Sequence, residues 1–279
     1  MDDLLLRSAV IPFAVAAMGA GLLRLVVGAR RGPLIAAAGI TAGFLTGFIL
    51  VLGMPARWPL SAVEKVFVLA AIGSFLGIAL DLTRAPTRTV RLAAILVPAA
   101  GLIWIGWSRL LVPDWTDIAV LATTAILGGV VVALLPARDE KATDAAVKLT
   151  VAAGALALVA VIGASASFGQ IAGVLAAATA GFLVWLWPRP RFPVGATAAL
   201  GAGGTFVALT GAIAVFTNAP KAALALLFLV FFADLALARF RARSRGARRA
   251  LRPILVGLVA AIPASAAIGL AQYLGGSGY

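Results

Sequence analysis

Ten times along this chain an apolar run of roughly 18 to 25 residues gives way to a short stretch bearing charge, proline or glycine, and that alternation decides the fold class. About 20 residues at 1.5 Å per residue are needed to cross about 30 Å of hydrocarbon. A backbone in lipid must satisfy its own hydrogen bonds, so only helices or a closed barrel can span, and these runs are continuous rather than alternating. The expected fold is therefore all-α, a polytopic bundle of about ten transmembrane helices. The segments lie near 4–28, 34–53, 62–82, 92–112, 116–136, 147–166, 169–187, 195–216, 221–238 and 253–274. The stretch from Thr150 to Pro188 holds no charge and is too long for one span, so it is expected to turn back between Gly163 and Gln170.

Charge in the connections orients the bundle, because Lys and Arg in short loops favour the cytoplasmic side. Arg30 and Arg31, then Arg84, Arg88 and Arg91, then the loop read as holding Arg138, Lys141 and Lys148, then Arg189 and Arg191, and finally the cluster from Arg239 to Arg252 fall in every second connection. The connections between them carry less positive charge: Arg57, then Arg109 with Asp114 and Asp117, then none, then Lys221. The pattern predicts a bacterial inner membrane protein with both termini in the periplasm. The acidic start Met-Asp-Asp lacks the positive n-region of a secretory signal, so the first run is expected to remain as a helix. The net charge of +13 is accounted for by these clusters rather than by a nucleic-acid surface.

One internal match constrains the organisation further. At an offset of 134 residues, Ala38-Gly39-Ile40 through Arg57-Trp58-Pro59 aligns without gaps on Ala172-Gly173-Val174 through Arg191-Phe192-Pro193. Shared Ala and Gly mean little in this composition, but Arg-aromatic-Pro after equivalent runs is distinctive. The expectation is a first five-helix half over 1–138 and a second over 139–279, which the odd helix number would invert. A chance match between two Ala- and Gly-rich helices is the plainer alternative.

Catalytic chemistry is thinly provided. With no cysteine and no histidine, thiolate and imidazole chemistry is excluded, and no paired carboxylates, activated nucleophile or metal cluster can be assembled from the sequence; no cofactor is called for. Intramembrane ionisable groups are functional candidates by default. Asp234 is the foremost: a proton or cation site, or else a carboxylate paired locally with Arg239 or Arg241. Asp81 reads as an interfacial partner of Arg84, and Glu64 as a stabiliser of the third helix N-terminus. Arg24 and Arg109 lie near helix ends and can snorkel. Backbone interruptions are the second kind of candidate, because freed polar groups can line a cavity: Gly201, Gly203, Gly204 and Thr205, Pro98 to Gly101, and Pro263 to Ser265. Close helix packing explains Gly201 to Thr205 equally well, as for Gly43 with Gly47 and Gly73 with Gly77. Arg239, Arg241, Arg243, Arg245, Arg248, Arg249 and Arg252 are candidates for anionic lipid headgroups, beyond their role in topology. Three functional classes follow: a secondary transporter or flippase with its site between inverted halves, a non-transporting membrane subunit or assembly factor that packs against membrane protein partners, and, least supported because catalytic groups are so scarce, a membrane-embedded enzyme acting on lipid.

Overall fold

The computed structural model describes residues 2–55, 59–111, 114–240 and 251–275. Among them the chain is helical without named strands. The helices are α1 (Asp3–Val27), α2 (Ala38–Leu52), α3 (Ala62–Leu82), α4 (Thr87–Ile105), α5 (Trp115–Leu134), α6 (Glu140–Ile162), α7 (Ala166–Leu183), α8 (Ala196–Phe216), α9 (221–240) and α10 (Arg252–Gly275). Eight of these are long and apolar enough to cross a membrane. The other two are α2, which at 15 residues rises only about 22 Å, and α9, which is built from three shorter pieces. The chain is thus a multi-pass helical membrane protein.

Local chemistry sets the helix ends. Ser61 and Glu64 form a reciprocal capping box at the start of α3: the Glu64 N–H donates to Ser61 Oγ (3.3 Å) and the Ser61 N–H to Glu64 Oε2 (2.8 Å). Asp114 caps α5 by accepting from the Thr116 N–H at 2.9 Å. That hydrogen bond holds its exposed carboxyl below the usual carboxylate range. Gly28 and Gly53 stop α1 and α2 at φ +87° and +86°, where a Cβ would strain the backbone. The uncharged stretch after Thr150 turns back at Gly163–Ser165, inside the expected window.

The connections gather at two ends. At the arginine-rich end a single cavity touches Leu34, Arg84, Arg138 and Pro193, and a second touches Asp139, Arg189 and Arg252. At the opposite end Lys65 reaches Trp104, Arg109 lies over the Phe216 ring, and Gly163 meets Ala219. Apolar side chains such as Phe75, Leu96, Ile126, Leu258 and Ile262 are exposed along the flanks, as a surface solvated by lipid requires. By contrast α8 is almost wholly buried, packed chiefly against α3, α4 and α5.

Small residues allow that packing. A Cβ on Gly73 or Gly77 would strike the backbone of Leu200 or of Ala196 and Thr197, so α3 crosses the first turns of α8 almost backbone to backbone. Gly39 and Gly43 play the same part against Ala16 and Pro12 of α1, and Gly181 of α7 lies on the carbonyl of Phe13. Three axial irregularities interrupt the described helices: a π turn at Leu6–Val10 in α1, another at Ala199–Gly203 in α8 and a 3-10 stretch at Phe228–Phe232 in α9. Pro98 in α4 and Pro263 in α10 lie within continuous helices, so neither is a broken-helix site.

Replacing Gly77 by Leu should lower the thermal unfolding midpoint in detergent sharply, at a cost of about 3 kcal/mol or more, because α8 cannot retreat from a backbone contact. Gly154→Ala, where a Cβ meets nothing within 4 Å, should instead stabilise by about 0.5 to 1 kcal/mol.

Candidate functional site

Two polar constructions stand out in an otherwise apolar bundle, and both lie toward the arginine-rich end. The first is an array of four charged side chains on three helices. Lys148, on the third turn of α6, is buried, and its Nζ donates to Asp234 Oδ1 of α9 at 2.7 Å and to the Phe231 carbonyl at 3.0 Å. Asp144, one turn earlier on α6, is 1% exposed and accepts at Oδ2 from Arg252 Nε (2.7 Å) and a terminal guanidinium nitrogen (2.6 Å) at the start of α10. Its Oδ1 is buried without a hydrogen-bond partner. Two acids and two bases thus cancel within one cluster, which is how a low-dielectric interior tolerates them.

Three sequence expectations change here. Lys148 is not in a loop, because α6 starts at Glu140, seven residues before the expected boundary, and the Asp144–Lys148 spacing puts both charges on one face. Asp234 has a partner the sequence reading did not supply, Lys148. Arg252, expected among the lipid-contacting arginines, has its guanidinium on Asp144. Arg241, Arg243, Arg245, Arg248 and Arg249, and the side chain of Arg239, lie outside the described residues. So do Arg57 and Trp58 of the internal match, whereas Arg191 lies over the Trp185 ring and Phe192 stacks on Phe182.

The second construction surrounds the α8 N-terminus. Asp81, at the end of α3, accepts from the N–H groups of Ala196 (2.9 Å) and Thr197 (2.8 Å) and from the Thr197 hydroxyl (2.7 Å). This carboxylate caps a helix 115 residues away in sequence, in place of the Arg84 pairing expected from their spacing. Beside it opens a cavity of about 780 Å³ lined by Leu34, Arg84, Thr87, Arg138, Val194 and Ala196, among others. Its wall includes a two-strand bridge in which Ala137 and Val194 exchange backbone hydrogen bonds at 2.7 and 2.9 Å.

Deeper along α8 lie the expected interruption residues. The π turn widens the helix so that the Gly204 N–H reaches the Ala199 carbonyl, and the Thr205 hydroxyl donates to the Gly201 carbonyl. Gly201 faces Thr41 of α2 and Ser74 of α3, Gly203 faces Leu135, and a Cβ on Gly204 would meet nothing. The Thr41 hydroxyl is buried with no partner. Pro98 is buried in α4, and neither cavity at the arginine-rich end reaches it, Asp234 or the Gly201–Thr205 stretch. Among the described residues no group of three or more His, Cys, Asp or Glu side chains is placed to hold a metal ion.

The fold and these sites define a polytopic membrane protein with a charge-compensated array and a vestibule at one end. Comparison with protein-family models and with curated proteins returned no match.

Asp234→Leu, which strands the Lys148 ammonium, should cost about 3 kcal/mol or more of stability, read as a fall in the unfolding midpoint in detergent. Adding Lys148→Met should restore most of the loss, since the unpaired charge and not the lost contact causes it.

Proposed function

We propose that the chain is a secondary transporter or flippase that works by alternating access across the bacterial inner membrane, with ten passes in two inverted halves, 1–138 and 139–279. The observation that carries this reading is the cavity at the arginine-rich end, because its walls come from both halves: Leu34 to Arg138 on one side, Pro193 to Ala196 on the other. Asp81 already occupies the α8 N-terminus, so the polar groups left to a solute are led by Arg84 and Arg138, whose guanidinium groups suit an anionic or polar one. The connections after α1, α3, α5 and α7 line the cavities at this end with Arg84, Arg138 and Arg189 among them, which supports a cytoplasmic assignment for it and a periplasmic one for both termini. The packing of α2 on α7 and of α3 on α8 also fits a pseudo-twofold axis between equivalent helices.

The cavity then opens to the cytoplasm, and the path to the periplasm is closed by the near backbone contact of α3 with α8. The π turn beside Gly201, Thr41 and Ser74 is the place along that path where backbone and hydroxyl groups can meet a solute. The alternative, a non-transporting subunit that packs against partners, is favoured by no specific observation.

The bridge between Ala137 and Val194 supplies the test. A hydrogen-bonded antiparallel pair holds its Cα atoms about 5.5 Å apart, within disulfide range, and the chain has no cysteine of its own. Solutes that stabilise the purified protein against heat are first selected from a metabolite panel, then assayed for uptake into proteoliposomes. Oxidising Ala137→Cys with Val194→Cys should abolish uptake, and reduction should restore it. Uptake unchanged by the cross-link, or no stabilising solute in the panel, removes the carrier reading.

A further inference from the structure

We propose that Asp144 is a proton-binding site, whose occupancy from the arginine-rich end loosens α10 from α6. Its carboxylate is fully buried, Oδ2 is saturated by the Arg252 guanidinium, and Oδ1 faces no donor. An anionic oxygen without a donor is costly in such a place, and what it can accept there is limited by room and by ligands. A dehydrated metal cation needs about six oxygens, and the neighbouring charged groups are Lys148 and Arg252, which repel it. A proton needs one oxygen and no space.

Access exists. The cavity of about 450 Å³ at the arginine-rich end is lined by Asp139, Thr143, Pro188, Arg189, Pro190, Arg252 and Pro253, so it ends on the residue before Asp144 and on its partner. That volume holds several waters at about 30 Å³ each. The groups that face or neighbour Asp144 are Arg252 from α10, Lys148 from its own helix, Asp234 from α9, and Asp139 and Arg189 from the cavity wall. In the unprotonated state the four-membered array is neutral. When an O–H bond forms at Oδ1, the array gains one positive charge and the Asp144–Arg252 attraction falls to an ordinary hydrogen bond. The guanidinium, at the mouth of a polar cavity, is then better solvated outside. Because Lys148 keeps Asp234, the proton acts on the α6–α10 junction and leaves α6–α9 in place.

This deepens the carrier reading by naming a coupling ion, though the titration itself can be measured without any solute. The full-length protein in liposomes is titrated under infrared difference spectroscopy, which reports the C=O stretch of a protonated buried carboxyl. Falling pH should raise one such band. Asp144→Asn should eliminate it, and Asp234→Asn should leave it. Arg252→Gln, which keeps Asp144 and so serves if the first variant does not fold, should move the midpoint up by about one pH unit or more, because loss of the cation favours the neutral acid. Spin labels at Lys141→Cys and Ile254→Cys, exposed positions at the arginine-rich ends of α6 and α10, should separate over the same pH range. A band that persists in Asp144→Asn, a midpoint unmoved by Arg252→Gln, or a label distance that ignores pH overturns the proposal. A titrating band and moving labels in a protein that takes up no solute would leave it standing and remove the carrier reading instead.

Discussion

The near contact of two backbones, α3 and the first turns of α8, is what the remaining architecture is arranged around. In lipid there is no hydrophobic force to draw apolar helices together, so dispersion at very short range and a few polar contacts must do it. Gly73 and Gly77 let α3 approach until Leu200 and Ala196 lie where side chains would otherwise stand. The approach carries Asp81 to the α8 N-terminus, where it satisfies two N–H groups that would be orphaned beside the membrane. Glycine spacing and acid placement are thus one construction: the first sets the distance, the second makes that distance electrostatically acceptable. The vestibule at the arginine-rich end forms around this junction.

Charge is treated differently elsewhere in the bundle. On the flanks and ends, basic groups are exposed or lie on aromatic rings, as Arg109 does on Phe216 and Lys65 on Trp104. Within the α6–α9–α10 junction they are enclosed and must cancel. Asp144, Lys148, Asp234 and Arg252 do so in two linked pairs, and within the group Asp144 Oδ1 is buried with no hydrogen-bond partner. A neutral array of this kind is tolerable in its resting state and responsive to a single added charge, which a set of isolated pairs at the surface would not be.

Helix existence was largely legible in the sequence because the bilayer makes run length decisive. The hairpin at Gly163 and the capping role of Glu64 appear where hydropathy and helix-end chemistry put them. The site was legible only in part. Asp234 and Gly201 to Thr205 drew notice because polar or small residues are conspicuous in apolar helices. Lys148 did not, since a lysine reads as a loop marker until its partner is known, and that partner is 86 residues away. The pairing of Asp144 with Arg252 across 108 residues was hidden for the same reason. The clue available was the four-residue spacing of Asp144 and Lys148 in an Ala-rich stretch without a helix breaker. Asp81 was misread because its nearest basic neighbour in sequence is not its neighbour in space.

The wide turn in α8 has a consequence for how that helix can move. Five residues are bonded there as a π turn, so the segment before Ala199 is rotated about the axis by up to about 100° relative to an uninterrupted α-helix. Such a turn can migrate along a helix by exchanging one hydrogen bond at a time, and each exchange turns the intervening residue to a new face. Because α8 is enclosed on nearly all sides, it cannot tilt as a rod without displacing every neighbour. A travelling turn would let its polar face screw past Thr41 and Ser74 while both ends stay anchored, one on Asp81 and the other at Phe216.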